Sequence, residues 1–336
     1  MTSQEVCVEA LRIAFDTAVA ASDNQENDYR IFASLGPVYV SRSRGGTVSL
    51  LIALDSCSAQ SSRSGGGFTL ISAEIVTFEY AGTRWQQPAA VLECTDASLL
   101  GTFAVLCADL GRLLLSNESA RTWKALVAWV EAWQFLLGRK PQMSAQKELG
   151  LWGELWLVKQ AVDPNLLLES WRGPERAPLD LFVNGTGLEV KSSKSRNAHF
   201  ISQSQVETPA GQFDCFLVSI WAGIDPLRGV SLPEIVDALL LGVTDGPRFL
   251  RQIAMAGYSP ADRKLYQTKY FLLDRPTLYA IDAVPRVRAA DEGVFNLRYQ
   301  ISLDATDPVD ASIEAEVWTR TLGRAPTIES LPVGAE

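Results

Sequence analysis

Pro178-Leu179-Asp180-Leu181-Phe182-Val183-Asn184-Gly185-Thr186-Gly187-Leu188-Glu189-Val190-Lys191 sets two short apolar runs on either side of Asn-Gly, with a second glycine following. That pattern predicts a β-hairpin. Glu189 and Lys191 stand two apart on the second strand, so both leave one face while Leu188 and Val190 leave the other. Asp180 lies on the partner strand and can be brought beside them. A strand covered on both faces is normally apolar throughout, so two carboxylates and an ammonium on one face carry a desolvation cost that something must offset. Two readings are open. One is an ion pair between Lys191 and Glu189 or Asp180. The other is a site for a hard divalent cation such as Mg²⁺, which takes carboxylate oxygens, water and substrate phosphate.

Outward from the hairpin, residues 144–161 predict a helix containing Gly150-Leu151-Trp152-Gly153-Glu154. Helical spacing sets Glu154 in the stripe of Leu151, Leu155 and Val158, which turns its carboxylate toward the core. It would there either join the hairpin carboxylates or cap a buried backbone group. Gly150 and Gly153 would let this helix approach the sheet closely, a use that would justify their helix penalty of about 1 kcal/mol each. Downstream, 200–206 reads as a strand. In Ser202-Gln203-Ser204-Gln205 only one parity would face the site, with Gln205 preferred and Gln203 the alternative.

Helix glutamate, strand aspartate, then Glu-x-Lys on the next strand resembles the PD-(D/E)XK nuclease motif in order and spacing. Gly-x-x-Gly-Glu ahead of it resembles the first core helix of that superfamily. The similarity covers residues 144–221. It is closest to a bacterial group named for that motif, often encoded beside DNA methyltransferases in restriction-like gene clusters. Tyr270, Pro285-Arg286 and 293–299 also resemble that group. One departure is that Leu179 separates Pro178 from Asp180.

The resemblance implies a restriction-endonuclease-like mixed sheet flanked by helices, an α/β domain in an α+β chain. It implies that Asp180, Glu189, the Val190 carbonyl and Glu154 hold Mg²⁺, with Mn²⁺ as a substitute. Lys191 would orient the attacking water or help deprotonate it, and Gln205 would order the site. Lys194, Arg196, His199 and Ser202 would contact nucleic acid, although a lone histidine is more often a surface or satisfied residue. DNA would be the substrate, with other proteins of a restriction or defence cluster as partners and a homodimer favoured by double-strand cutting.

The rest of the chain bounds these readings. At 336 residues it suggests two domains, read as 1–140, a separate α+β N-terminal domain, and 141–325, the nuclease-like domain with its C-terminal extension. A loose tail follows at 326–336. In the first half, 29–33, 38–41, 47–54 and 68–80 predict strands, 56–67 a mobile Ser/Gly surface loop, and 99–115 and 119–137 helices. The Gly138-Arg139-Lys140-Pro141 stop marks the boundary. Trp85 and the Ser/Gly loop are candidates for a target-reading surface. In the second half, 179–183, 188–192, 213–221, 265–273, 278–284 and 295–303 predict strands, and 232–241 and 247–256 helices.

Five cysteines without a CxxC pair and one histidine, His199, remove most zinc chemistry. They also force any Ser-His hydrolase through His199, for which no Gly-x-Ser-x-Gly elbow exists. The unpaired cysteines point to reduced thiols and a cytoplasmic protein. No run of 18 or more apolar residues predicts a membrane span. The net charge of −9 argues against a generic nucleic-acid coat, so DNA contact would be local: Lys191, Lys194 and Arg196 form one basic stretch. Residues 245–300 hold nine Lys or Arg against six Asp or Glu, with Arg248, Arg251, Arg263, Lys264 and Lys269 among them. The expected function is therefore a Mg²⁺-dependent DNA endonuclease of a restriction or phage-defence system. The alternative is a catalytically silent DNA-binding or scaffold subunit of such a system.

Overall fold

The structure, a computed structural model, describes residues 7–21, 29–54, 61–117, 120–137, 141–175, 177, 179–206, 213–287 and 297–327. Pro178, residues 138–140, 207–212, 288–296 and the end of the tail lie outside them. The chain divides into two compact units: Met1–Lys140 with Asp245–Ala254 and Ser259–Asp262, and Pro141–Thr244 with Met255–Tyr258 and Arg263–Glu336.

The first unit contains α1 (Val8–Ala20), β1 (Tyr29–Leu35), β2 (Val38–Ser43), β3 (Val48–Ala53), β4 (Ser61–Gly65), β5 (Phe68–Tyr80), β6 (Thr83–Cys94), α2 (Leu100–Ser116) and α3 (Trp123–Leu137). Its six strands form an antiparallel sheet in the order β1-β2-β3-β6-β5-β4. Helices α1 and α2 pack through Phe15, Phe103 and Phe68, with ring centroids 5.2 and 5.5 Å apart. Another buried cluster gathers Ile31, Leu51, Val76, Phe78 and Val91, with Tyr39 and Trp85 against it. Trp85, half-buried, stacks on Phe78 with ring centroids 5.3 Å apart.

One expectation changes here. Residues 61–65 of the supposed loop are an edge strand: pairing with β5 needs only backbone groups, and a short polar edge resists further pairing. The stretch Ala97–Ser116 is long and apolar enough to cross a membrane by length and composition. Within this unit it contains the packed core helix, with Phe103, Leu106, Leu110 and Leu114 buried. Cys7, Cys94, Cys107 and Cys215 are free thiols, and burial pushes Cys94 up to about 12.

The second half of the chain continues with α4 (Ala145–Gln160), α5 (Pro164–Ser170), β7 (Leu181–Val183), β8 (Thr186–Ser193), β9 (Ala198–Ser202), α6 (Gln203–Val206), β10 (Asp214–Ile224), β11 (Val230–Ser231), α7 (Leu232–Gly242), α8 (Gly246–Ala256), β12 (Lys269–Leu272), β13 (Thr277–Ala280), β14 (Arg298–Ser302) and α9 (Ala311–Leu322). Most of α8 clusters with the first unit.

The second unit is built on a mixed sheet in the order β11-β12-β10-β8-β7, with β13 also pairing β10. Strands β8 and β10 run parallel and β7 antiparallel to β8. A separate ribbon pairs β9 with β14. Mixed pairing with helices against the sheet is the α/β arrangement expected of a restriction-endonuclease-like core, within an α+β chain.

The hairpin forms as the sequence predicts, with Val183 opposite Thr186 and a two-residue turn. Asn184 and Gly185 take φ of 49° and 76°, the left-handed conformations that a type I′ turn demands. A methyl group on Gly153 would fall 1.8 Å from Ser192 Oγ, so this glycine lets α4 touch β8. Gly150 meets nothing within 4 Å, so the expectation that it serves the same approach does not hold. Helix α9, absent from the sequence reading, ends on Gly323 in the left-handed conformation.

Candidate active site

Parallel register places Glu189 beside Leu217 and Lys191 beside Ser219, so the two charged residues rise on the same face of the sheet. Asp180 immediately precedes the adjacent strand β7, and its N–H donates to the Leu188 carbonyl at 3.1 Å. Its Oδ2 accepts the Val190 N–H at 2.8 Å, replacing a ladder partner. Because a residue's N–H and C=O leave the same edge of a strand, the Val190 carbonyl shares the edge on which Asp180 sits.

Glu189 is fully buried and its Oε1 lies 2.5 Å from the Lys191 ammonium. The lysine side chain is 19% exposed and the glutamate 1%, so the pair meets solvent through its cation. Glu154, on α4, accepts a hydrogen bond at 2.8 Å from the indole N–H of Trp171. The structure thus brings Glu154, Asp180, Glu189 and Lys191 together.

Gln205 joins them by an unexpected route. The predicted strand over 200–206 stops at Ser202, and 203–206 is one helical turn. Strand parity therefore does not choose between Gln203 and Gln205. Ser202 precedes that turn and its N–H donates to Gln205 Oε1 at 2.9 Å, half of a capping box. With its oxygen so occupied, the amide turns Nε2 toward Glu189 and donates to Oε1.

His199 stands behind Lys191. It is 3% exposed, with Nε2 2.8 Å from Ser219 Oγ. Burial, and then the Lys191 charge, pull its pKa down to about 4. A buried neutral imidazole brings no positive charge to a phosphate. Ser202 is occupied in the turn, its Oγ 3.1 Å from Ser204 Oγ. Lys194 is exposed, with its ammonium 5.9 Å from the centre of the Tyr270 ring. Arg196 lies over Trp221 and pairs with Asp274 at 3.4 Å. Farther along, Arg263 pairs with Asp237 and Lys269 with Glu234, so these two cations hold α7 in place.

Two residues that the sequence reading missed complete the surroundings. Trp171 is bridged to Leu181, and the Arg172 N–H donates to the Asp180 carbonyl at 2.8 Å, so 171–173 runs along Asp180. A Cβ on Gly173 would sit 2.3 Å from Glu154 Oε2 and 3.2 Å from Asp180 Oδ1. Only glycine leaves that space open. The sequence signal was faint: Trp-Arg-Gly lies in an irregular segment where no periodicity applies.

Burial first, and then the neighbouring carboxylates, dominate the protonation of this cluster. Burial and the Asp180 charge raise Glu154 well above the usual carboxylate range. Asp180 is raised by burial, against the opposing effects of Lys191 and the Val190 N–H. Glu189 is pushed up to about 8 by burial and by Asp180, with Lys191 opposing. Burial works to lower Lys191, but Glu189 and Asp180 outweigh it, so its pKa is raised.

Two buried carboxylates, Asp180 and Glu189, and the half-buried Glu154 against one ammonium are short of positive charge. Glu189 Oε2 is also buried without a hydrogen-bond partner. Hard oxygen donors, an unpartnered buried oxygen and the opening left by Gly173 fit a divalent cation. Among the described residues no three His, Cys, Asp or Glu side chains form a ready-made metal cluster. Mg²⁺ needs only one or two carboxylates beside water and phosphate.

A family model described as "Putative PD-(D/E)XK family member, (DUF4420)" matches residues 18–304. The chain belongs to this nuclease-like family. Neither a curated protein nor a solved structure matches the chain. The match spans most of both units, so the DUF4420 family comprises the N-terminal antiparallel sheet as well as the hairpin that carries the motif.

Proposed function

We propose that this DUF4420 protein is a Mg²⁺-dependent deoxyribonuclease, acting in the cytoplasm as the cleaving component of a restriction or phage-defence system. The observation that carries the reading is the constellation of buried Asp180 and Glu189 with half-buried Glu154 and Lys191, and its unpartnered Glu189 oxygen. Without a cation or a substrate phosphate to complete it, such a cluster is only a cost to folding.

Asp180, Glu189, Glu154 and the Val190 carbonyl would hold the cation, which supplies a bound water of lowered pKa and neutralises phosphodiester charge. Trp171 fixes the Glu154 carboxylate and Gln205 fixes Glu189, so two of the acidic groups are oriented before substrate arrives. The raised pKa of Lys191 keeps it an ammonium at neutral pH. As an ammonium it is suited to orient the attacking water and to stabilise charge on the phosphate. In-line attack would leave 5′-phosphate and 3′-hydroxyl ends. Cutting both strands with one centre per chain calls for two copies.

The test is cleavage of methylated and unmethylated plasmid with Mg²⁺ or Mn²⁺ by wild type, Lys191→Ala and Asp180→Ala. Cation-dependent cleavage lost in both variants supports the assignment. Cleavage surviving both places the chemistry elsewhere. No cleavage in any condition, with or without partner proteins, makes the chain a silent scaffold or DNA-binding subunit.

A further inference from the structure

Beyond Lys191, strand β8 runs on into Ser192 and Ser193, followed by Lys194 and Ser195. These residues enter the lining of a pocket of about 270 Å³ together with Gln146 at the start of α4, Phe200 on β9 and Gln300 on β14. Its lining sets serine hydroxyls, two amides, the neutral His199 ring and one ammonium, Lys194, beside the apolar Ala145, Leu149 and Ala198, and holds no carboxylate. That chemistry suits a phosphate, in contrast to the acidic cluster next door.

The outer face of the β9–β14 ribbon adds a second feature. Phe200 pairs with Gln300 and Ser202 with Arg298, so these side chains share one face of the ribbon. Phe200 is 43% exposed, and the Arg298 guanidinium lies 5.7 Å from its ring centre. An exposed aromatic ring interleaved with basic and polar side chains is the arrangement on which bases of a single strand stack. The neighbouring residues on the same strand, His199 and Ile201, are buried, so Phe200 is not serving the core.

Size and spacing narrow the ligand. At about 270 Å³ the pocket lies just below the range of about 300–1,000 Å³ that holds drug-sized molecules, room for part of a single nucleotide. Ser193 follows Lys191 by two residues on the same face of β8, about 7 Å farther along the strand.

We propose that this pocket receives one unstacked nucleotide of the strand being cut, its phosphate on Lys194 and the adjacent serine hydroxyls and its base against Phe200. The proposal rests on the nuclease reading and narrows its substrate to single-stranded or locally opened DNA.

The test is fluorescence-anisotropy titration of the full chain with a short single-stranded oligodeoxynucleotide and with a blunt duplex, in Ca²⁺ to hold back cleavage. Phe200→Ala and Lys194→Ala should each weaken single-strand binding about tenfold, Phe200→Tyr should retain it, and Mn²⁺ binding should stay unchanged in all three. Equal single-strand affinity in wild type and Phe200→Ala, or tighter wild-type binding to duplex than to single strand, overturns the pocket assignment even where Lys191→Ala has abolished plasmid cleavage. A tenfold loss in both alanine variants, in a protein that cleaves nothing, supports the pocket and removes the hydrolytic reading instead.

Discussion

Replacing Glu189 by glutamine should make the cation-free protein less sensitive to alkaline pH while destroying its chemistry. The Glu189 carboxyl titrates at about 8 in the folded chain against 4.5 for an unperturbed glutamate. Between these values the native state keeps a proton that the unfolded chain has released. The stabilisation is therefore complete below about 4.5 and is lost as pH rises through about 8. One proton corresponds to about 1.4 kcal/mol per pH unit, or about 5 kcal/mol over the whole window. Glutamine cannot ionise, and its carbonyl can still accept from Gln205; only above about pH 8 does it lack a charge that wild type sets opposite Lys191. Urea unfolding at a series of pH values from about 5 to about 9, in chelator, should show wild type losing stability relative to Glu189→Gln at close to that slope. At 1 kcal/mol per 2–4 °C for a unit of roughly this size, thermal melts should show the same crossing. Parallel pH profiles for the two proteins would refute the argument, because Glu189 would then carry no extra proton at neutral pH.

Three further outcomes follow from the same geometry. Gly173→Ala places a methyl group 2.3 Å from Glu154 Oε2, so it should abolish or strongly weaken Mn²⁺ binding measured by calorimetry while the fold stays intact by circular dichroism. Trp171→Phe removes the indole N–H from Glu154 and should weaken Mn²⁺ binding by about tenfold, the scale of a lost hydrogen bond to a charged group, most strongly at low pH. On α4, Gly153→Ala should destabilise by about 1–3 kcal/mol through its clash with Ser192. Gly150→Ala, with nothing within 4 Å, should stabilise by up to about 1 kcal/mol in the same unfolding assay.

The parts of this site that could be read in the sequence are those fixed by local rules. Asn184-Gly185 dictates a hairpin because only a few residue pairs tolerate two left-handed conformations in succession, and alternation then sets Glu189 and Lys191 on one face. Helical period brought Glu154 to the core side of α4. What escaped is what depends on tertiary approach. Trp171 and Gly173 reach the carboxylates from an irregular segment, and Gln205 is aimed by a capping turn where a strand was expected. His199, close in sequence to Lys191, is buried with its ring against Ser219 of β10, which sequence proximity does not reveal. The edge strand β4 escaped for a related reason: its pairing uses backbone groups, which serine- and glycine-rich composition does not advertise.

The claim that these buried charges form a cation-dependent phosphodiesterase centre is tested most directly by the rate of plasmid cleavage at saturating Mg²⁺ for wild type and Glu189→Gln. The account requires Glu189→Gln, folded and no less stable than wild type at alkaline pH, to fall at least about a hundredfold in rate. Retention of wild-type, chelator-sensitive cleavage by that variant would contradict it.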